Sequence, residues 1–237
     1  MAVFLVAHGA WSAGFSWRKV RPLLRAAGHE LFTPSYTGQG ERFHLANAEI
    51  DLEAQIRDVL AVLHYEDLTG VHLVGHSYGG MVATGVADRV PERIAQIIYL
   101  DAFVPRDGQS AFDLLSTNAR EHMERGAAAT GGGWGIPPIS MPPDTAEADM
   151  AWTTPRRHPQ PIRTFSQALR LTRGETTLPG NYIYCTRIAP GDVFAQFTDR
   201  AKSEAGWRYY ELDASHNPHV TAPEALTRLL EEIASGR

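Results

Sequence analysis

The sequence lacks the features that mark several classes of protein. Its 237 residues include one cysteine, Cys185, which excludes an internal disulfide framework and a cysteine-rich zinc site. It has 22 basic against 27 acidic side chains, a formal net charge of -5 and no long basic run, so no nucleic-acid partner is expected. No apolar run has the length of a membrane span. We therefore expect a cytoplasmic protein with no membrane partner.

The sequence does contain a regular alternation of short apolar runs and segments with helical periodicity. The apolar runs predict strands at 2–7, 30–33, 71–75, 94–100, 181–186 and 207–212. The periodic segments predict helices at 17–27, capped by Ser16, and at 51–64, 80–89, 194–205 and 223–234. This alternation indicates an α/β fold with a mostly parallel, doubly wound sheet that helices cover on both faces.

One interval interrupts the alternation. Residues 105–179 are rich in glycine and proline and interleave methionine with tryptophan, as in Met141 and Trp152. Such an insertion favours a lid over an apolar site, although a surface excursion is the alternative. We expect residues 1–104 and 180–237 to form the core and 105–179 to form the lid or cap.

The most informative motif follows the third predicted strand. Gly75-His76-Ser77-Tyr78-Gly79-Gly80 predicts a nucleophile elbow, in which a strand turns sharply into a helix and presents Ser77 at its tip. The helix N-terminus then leaves the backbone N–H of Tyr78 free to stabilise an oxyanion. The alternative is a glycine-rich turn with an incidental serine.

A serine hydroxyl needs a base, and two histidines lie in the last loop before the closing helix. His216 directly follows the last predicted strand, at the sheet edge where Ser77 is expected, and we predict that it is the base. His219 comes about one turn later and is expected to face solvent. The alternative for His216 is a loop histidine without function.

The loop after the first strand predicts the second oxyanion donor. In His8-Gly9-Ala10-Trp11 the glycine permits close approach, so the N–H of Ala10 can pair with that of Tyr78 around an oxyanion. A plain turn at the end of a strand is the alternative. His76 is interpreted as a residue that packs or that supports the catalytic residues from behind, with its side chain pointing away from the pocket.

The acid that would orient His216 is less well specified. Asp101 ends the strand after the elbow, follows a mostly apolar run and is expected at the same sheet edge. Asp192 lies beyond the penultimate strand and is the alternative acid, unless it caps the next helix. Asp213 is a third candidate, too close to His216 along the chain. We favour Asp101.

Together these residues resemble the α/β-hydrolase superfamily. The loop His8–Trp11, the elbow Gly75–Gly80 and the segments Pro22–His29 and Leu100–Pro105 are similar to those of plant methyl-ester esterases, hydroxynitrile lyases and their bacterial esterase relatives. The resemblance covers nearly the whole core and implies a Ser-His-Asp triad, no metal or organic cofactor, and hydrolysis of small carboxylic esters under a helical cap.

Two departures from that group matter. The plant members place their acid shortly after Cys-Thr, where this chain has Arg187, which again favours Asp101 over Asp192. The lyases carry a lysine beside the catalytic histidine, where this chain has Asn217, so lyase activity is not expected. A serine rather than an aspartate in the elbow also argues against dehalogenase and epoxide hydrolase chemistry.

The sequence therefore predicts a serine esterase that acts on a small-molecule ester. The residues expected to line its pocket are Trp11, His8, Phe103, Trp134 and Trp152. A C–C bond hydrolase, a cofactor-free perhydrolase or haloperoxidase, and a ligand receptor with a hydrolase-like fold are the alternatives. The sequence does not distinguish a monomer from a homodimer.

Overall fold

The computed structural model describes residues 1–130, 132–187 and 192–236. Its strands are β1 (Val3–Ala7), β2 (Glu30–Phe32), β3 (Val71–His76), β4 (Ile94–Leu100), β5 (Gly135–Ile136), β6 (Gln160–Pro161), β7 (Gly180–Cys185) and β8 (Trp207–Leu212). Its α-helices are α1 (Val20–Ala26), α2 (Leu52–Tyr65), α3 (Gly79–Arg89), α4 (Thr117–Thr130), α5 (Glu147–Thr153), α6 (Arg163–Ser166), α7 (Thr198–Ser203), α8 (Pro218–Thr221) and α9 (Pro223–Ser235).

Six strands form the central sheet in the order β2-β1-β3-β4-β7-β8, and each neighbouring pair is parallel. The predicted α/β fold with a parallel, doubly wound sheet is confirmed. Strand β2 lies on one side of β1, and β3 and the later strands lie on the other side. The strand order therefore reverses between β1 and β3. In open sheets of this type ligands bind beyond the carboxyl ends of the strands at that point.

Alternate residues of each strand face opposite sides of the sheet, and each side has its own core. In β1, Phe4 and Val6 pack with α1 and α9 on one side, whereas Leu5 and Ala7 pack with α2 and α3 on the other. Both faces of the sheet are therefore covered, which explains why the central strands β3 and β7 are buried along their whole length.

The predicted helix at 17–27 is shorter than expected. A 3-10 turn covers Gly14–Trp17, and α1 begins only at Val20. Pro22 lacks an N–H and is tolerated only in the first turn of a helix, which a start at Val20 satisfies. Ser16 is not the cap, because its hydroxyl donates to the carbonyl of Ala13 at 2.9 Å. The predicted helix at 194–205 likewise divides into a 3-10 turn and α7.

The segment between β4 and β7 carries the inserted elements. It contains α4, α5, α6 and the antiparallel pair of β5 and β6. Helix α6 packs against α2, and Asp149 of α5 accepts from Lys19 of the core at 2.6 Å. The insertion is thus anchored to the core, and its role as a lid stays a prediction. None of the helices in the described residues is both long and apolar enough to cross a membrane.

Candidate active site

Ser77 lies at a sharp turn between β3 and α3. Its φ is 56°, in the left-handed region that residues other than glycine rarely adopt. Hydrogen bonds on both sides hold this conformation: Ser77 N–H donates to the carbonyl of Leu100 at 3.2 Å, and its own carbonyl accepts from Phe103 and Gly80, each at 3.1 Å. Several neighbouring segments therefore fix the serine in its strained geometry, as expected for a functional site.

The two flanking glycines let the chain pass close to its neighbours. A Cβ atom on Gly79 would lie 2.0 Å from the carbonyl oxygen of Ala7, and one on Gly75 would lie 2.9 Å from the Cβ of Ala83. The start of α3 therefore approaches the end of β1 at a distance that only glycine allows. This contact brings Ser77 beside the loop that follows β1.

His216 joins Ser77 to Asp101. The histidine lies in the loop between β8 and α8, with its Nε2 at 2.9 Å from the Oγ of Ser77 and its Nδ1 at 2.7 Å from Oδ2 of Asp101. The other carboxylate oxygen of Asp101 accepts from the backbone N–H of Cys185 at 3.3 Å. Because the carboxylate accepts, Nδ1 carries the proton and Nε2 is free to accept from the serine hydroxyl.

The other two candidate acids have different partners. Asp192 accepts from the hydroxyl of Tyr184 at 2.6 Å and from the backbone N–H of Phe194 at 2.8 Å. Asp213 is exposed and pairs with Arg187 at 2.9 Å. Neither carboxylate contacts His216, so the fold brings Asp101, and not Asp192 or Asp213, to the histidine.

Two aromatic neighbours hold His216. The ring of Phe194 stacks on it with centroids 4.8 Å apart and planes inclined by 9°. His76, the residue before the serine, donates from Nε2 to the backbone carbonyl of His216 at 2.8 Å. Burial keeps the pKa of His76 well below its usual value, so the ring is neutral. His76 is therefore a buried hydrogen-bonding partner of the loop.

The expectation that His219 faces solvent is wrong. Its ring is buried, stacks on Trp17 with centroids 4.8 Å apart and lies 4.7 Å from His76. Burial lowers the pKa of His219 to about 3, so the ring is uncharged at neutral pH. Pro218 begins the short helix α8, and this helix turns His219 inward.

Two backbone N–H groups meet near the serine. In residues 1–130, 132–187 and 192–236, neither the N–H of Ala10 nor that of Tyr78 donates to a protein acceptor, and both residues line the cavity beside Ser77. Trp11 follows in the left-handed region, with φ 54°, and its indole N–H donates to the carbonyl of Ile136 at 2.9 Å. The loop after β1 is thereby tied to the insertion.

The serine opens into a cavity of about 710 Å³. Core and insertion residues both line it. Its larger apolar side chains, apart from the prolines, are Trp11, Phe15, Phe103, Leu115, Met123, Ile139, Met141, Phe165, Val193, Phe194 and Val220. A mostly apolar cavity of this size, with a few converging polar groups, is typical of a small-molecule site.

Three residues expected in this pocket lie elsewhere. His8 is buried behind the loop, where Nδ1 donates to the carbonyl of Gly9 at 2.8 Å and Nε2 accepts from the N–H of Tyr36 at 3.2 Å. Burial lowers its pKa to about 4. Trp152 packs on Phe15 and under the guanidinium of Arg18, outside the cavity.

Trp134 also fails to line the cavity. It directly precedes β5, and its carbonyl accepts from the N–H of Ile162, which directly follows β6, at 2.7 Å. Trp134 therefore extends the pairing of β5 with β6. The two other expected residues, Trp11 and Phe103, do line the cavity.

Sequence reasoning missed several wall residues. Phe165 of α6 stacks on Tyr78 with centroids 5.1 Å apart, and Arg157 contributes a guanidinium to the wall. Nothing in the local pattern distinguishes these insertion residues, because their position depends on how the insertion packs. In the part of the chain that the structure describes, no three or more His, Cys, Asp or Glu side chains are grouped as a metal site would require.

Comparisons with known proteins agree with this fold. The sequence profile of the Alpha/beta hydrolase family matches residues 3–229. A carbendazim hydrolyzing esterase from Nocardioides sp. (strain SG-4G) is 37% identical over 98% of this chain and 100% of its own length. Salicylic acid-binding protein 2 from Nicotiana tabacum is 31% identical over 51% of this chain and 47% of its own.

A solved structure extends the likeness over the whole fold. It is an extracellular alpha/beta-hydrolase from a Paenibacillus species, described as sharing structural and functional homology with the tobacco salicylic acid-binding protein. The TM-score is 0.83 with 28% sequence identity, covering 98% of each chain.

Proposed function

Because this chain belongs to the alpha/beta hydrolase family, we propose that it is a serine esterase that cleaves small carboxylic esters through an acyl-enzyme on Ser77. The observation that carries the proposal is the continuous path of hydrogen bonds from Asp101 through His216 to Ser77, which ends at the wall of an apolar cavity. The likeness to an esterase over the full length of both chains supports it.

The reaction follows from the positions of the protons. Nε2 of His216 takes the proton of the Ser77 hydroxyl as Oγ attacks the ester carbonyl, and Asp101 stabilises the imidazolium that forms. The imidazolium then protonates the leaving alcohol, which leaves the acyl group on Ser77. Water, deprotonated by the same nitrogen, attacks the acyl-enzyme and releases the carboxylic acid.

The N–H groups of Ala10 and Tyr78 are proposed to form the oxyanion hole. Both are free of protein acceptors in the described residues, and Tyr78 lies at the N-terminus of α3, where the helix dipole favours negative charge. Loss of one such donor typically costs about 10²- to 10³-fold in rate. Their backbone geometry therefore matters as much as the side chains.

The substrate is proposed to carry an apolar group that fills the cavity, with the insertion at 105–179 acting as its lid. Leu115, Met123 and Met141 of the insertion line the same cavity as Ser77, which supports a role of the insertion in covering the reacting group. The mostly apolar cavity wall supports this proposal, as does the carbendazim-hydrolysing activity named for the Nocardioides relative.

A cytoplasmic location is part of the proposal. The single cysteine, Cys185, is buried, and burial with the nearby Asp101 carboxylate raises the pKa of its thiol well above the usual value. A protein with one unreactive core thiol suits a reducing compartment.

Replacement of the nucleophile tests the proposal. Ser77→Ala should abolish turnover of p-nitrophenyl acetate, because no other hydroxyl lies at Nε2 of His216 in the described residues. The matched control is Ser203→Ala, which removes an exposed hydroxyl on α7 and should keep wild-type turnover. Turnover by the Ser77→Ala protein above the uncatalysed rate would refute the assignment.

A further inference from the structure

One charged side chain in the cavity wall has no role in the mechanism above. Arg157 follows the 3-10 turn Thr154–Arg156, after α5, and its half-buried side chain lines the cavity that holds Ser77. Its Nε donates to the carbonyl of Trp11 at 3.4 Å, and its Nη1 donates to the carbonyl of Ile139. A guanidinium has five N–H donors, so three of them have no protein acceptor in the described residues.

Arg157 also lacks a counter-ion. Across residues 1–130, 132–187 and 192–236, no carboxylate lies within 4.0 Å of its guanidinium, and burial lowers its pKa because it disfavours the charged form. Arg187 lines the same cavity but pairs with Asp213 at 2.9 Å and with Asp144 at 3.6 Å. The positive charge of Arg157 is thus the one left uncompensated among the described cavity residues.

The guanidinium of Arg157 lies next to the loop that carries the proposed oxyanion donor Ala10. Arg157 bonds the carbonyl of Trp11, the residue after Ala10, whose N–H we assign to the oxyanion hole. Arg157 and Ser77 therefore line the same cavity, on either side of the loop that follows β1. A partly desolvated cation without a counter-ion is unfavourable, and a ligand carboxylate would compensate its charge through charge-assisted hydrogen bonds to the planar fork.

We propose that Arg157 binds a free carboxylate on the substrate, so that the enzyme prefers half-esters of dicarboxylic acids to neutral esters of similar shape. This inference rests on the proposed esterase function. A neutral carbonyl would accept the same hydrogen bonds but would leave the charge uncompensated, which is why the structure favours a carboxylate.

The test compares matched esters and matched variants. The substrates are the monomethyl esters of phthalic, isophthalic and terephthalic acid, which move the carboxylate around the ring, against the three methyl toluates as neutral partners of similar size. The variants are Arg157→Met, Arg157→Lys and, as control, Arg156→Met, which removes the same charge from the exposed neighbouring residue. The quantity is the ratio of kcat/KM for each half-ester to that for its toluate.

Wild-type enzyme should prefer one half-ester isomer, and Arg157→Met should lower that ratio by about 10- to 100-fold, the range for hydrogen bonds between charged groups. Arg157→Lys, which keeps the charge but loses the fork, should give an intermediate ratio and remains informative if the methionine variant does not fold. Arg156→Met should keep the wild-type ratio. Comparing variants cancels the intrinsic difference in reactivity between the two esters.

If Arg157→Met lowered kcat/KM equally for half-esters and toluates, Arg157 would only hold Trp11 and Ile139 together through its hydrogen bonds. That result would overturn the proposal. An unchanged ratio in both Arg157 variants would overturn it as well. Either result leaves the esterase function intact, whereas wild-type enzyme that fails to hydrolyse p-nitrophenyl acetate, the half-esters and the toluates alike would refute that function itself.

Discussion

Replacement of Asp101 by asparagine should disable the enzyme through the position of one proton. Oδ1 of Asp101 accepts from the N–H of Cys185 at 3.3 Å, while Oδ2 accepts from Nδ1 of His216 at 2.7 Å. In Asp101→Asn the amide oxygen keeps the bond to Cys185, so the amide NH₂ faces His216. Nδ1 must then accept, the ring proton moves to Nε2, and Nε2 can no longer take the proton of Ser77.

The size of the effect follows from the role of the carboxylate. Forcing the wrong tautomer in a Ser-His-Asp triad typically lowers kcat about 10⁴-fold, which corresponds to about 5 kcal/mol of activation free energy. KM should change little, because Asp101 contacts no part of the substrate in the proposed mechanism. The assay is steady-state hydrolysis of p-nitrophenyl acetate, with near-UV circular dichroism to establish that the variant is folded.

Asp192→Asn is the matched control. Its carboxylate contacts Tyr184 and the backbone of Phe194 and does not contact His216, so the variant should keep kcat within about tenfold of wild type. The assignment of the acid would be refuted by a folded Asp101→Asn protein with near wild-type kcat. It would also be refuted if Asp192→Asn lost activity while Asp101→Asn kept it.

Two further predictions concern stability. Gly79→Ala should lower the free energy of unfolding in urea by about 3 kcal/mol or more, because its Cβ would lie 2.0 Å from the carbonyl oxygen of Ala7. His219→Phe keeps a ring on Trp17 but should flatten the acid dependence of stability. The pKa of the His219 imidazole is about 3 in the folded protein and about 6.5 in the unfolded chain. Between these pH values unfolding takes up a proton. The free energy of unfolding therefore falls as the pH drops below about 6.5, by up to about 1.4 kcal/mol per pH unit.

Each stability prediction has a control. Gly126→Ala in α4 brings a Cβ no closer than 3.1 Å to a side-chain atom of Pro137, so it should be far milder than Gly79→Ala, and equal losses would contradict the close-approach argument. Urea unfolding at pH 7 and pH 5 measures the His219 effect, with exposed His44→Gln as reference. A His219→Phe protein that loses as much stability on acidification as wild type would contradict the burial argument.

The sequence determined the sheet and the positions of the reacting groups to a large extent. Strand tips of a parallel sheet meet at one edge, so Ser77 after β3, Asp101 after β4 and His216 after β8 could be assigned to the same place from their order along the chain. The apolar run before Asp101, and Arg187 at the place where the plant members have their acid, favoured Asp101 over Asp192, and the fold places Asp101 at the histidine.

The direction in which side chains in the loops and the insertion point could not be predicted from their order along the chain. His219 was expected in solvent because its spacing from His216 suggested an outward turn, yet α8 directs it onto Trp17. His8 and Trp152 were assigned to the pocket from proximity to the motif and from aromatic content. Their actual contacts depend on Tyr36 and Arg18, which lie far from them in the sequence.

The insertion was the least predictable part. Its glycine and proline content indicated loops, but the placement of Phe165 and Arg157 in the cavity wall depends on contacts between the insertion and the core, such as those of Trp11 with Ile136 and with Arg157. Such contacts join residues more than a hundred positions apart, and local periodicity contains no information about them.

Covalent labelling of the native protein tests the central claim most directly. A fluorophosphonate probe reacts preferentially with a serine hydroxyl that a base activates, and peptide mass mapping identifies the modified residue. We predict one phosphonyl group per chain, on Ser77, with loss of esterase activity in step with labelling and no adduct in Ser77→Ala. An active protein that the probe inactivates at a different residue, with Ser77 unmodified, would contradict the account.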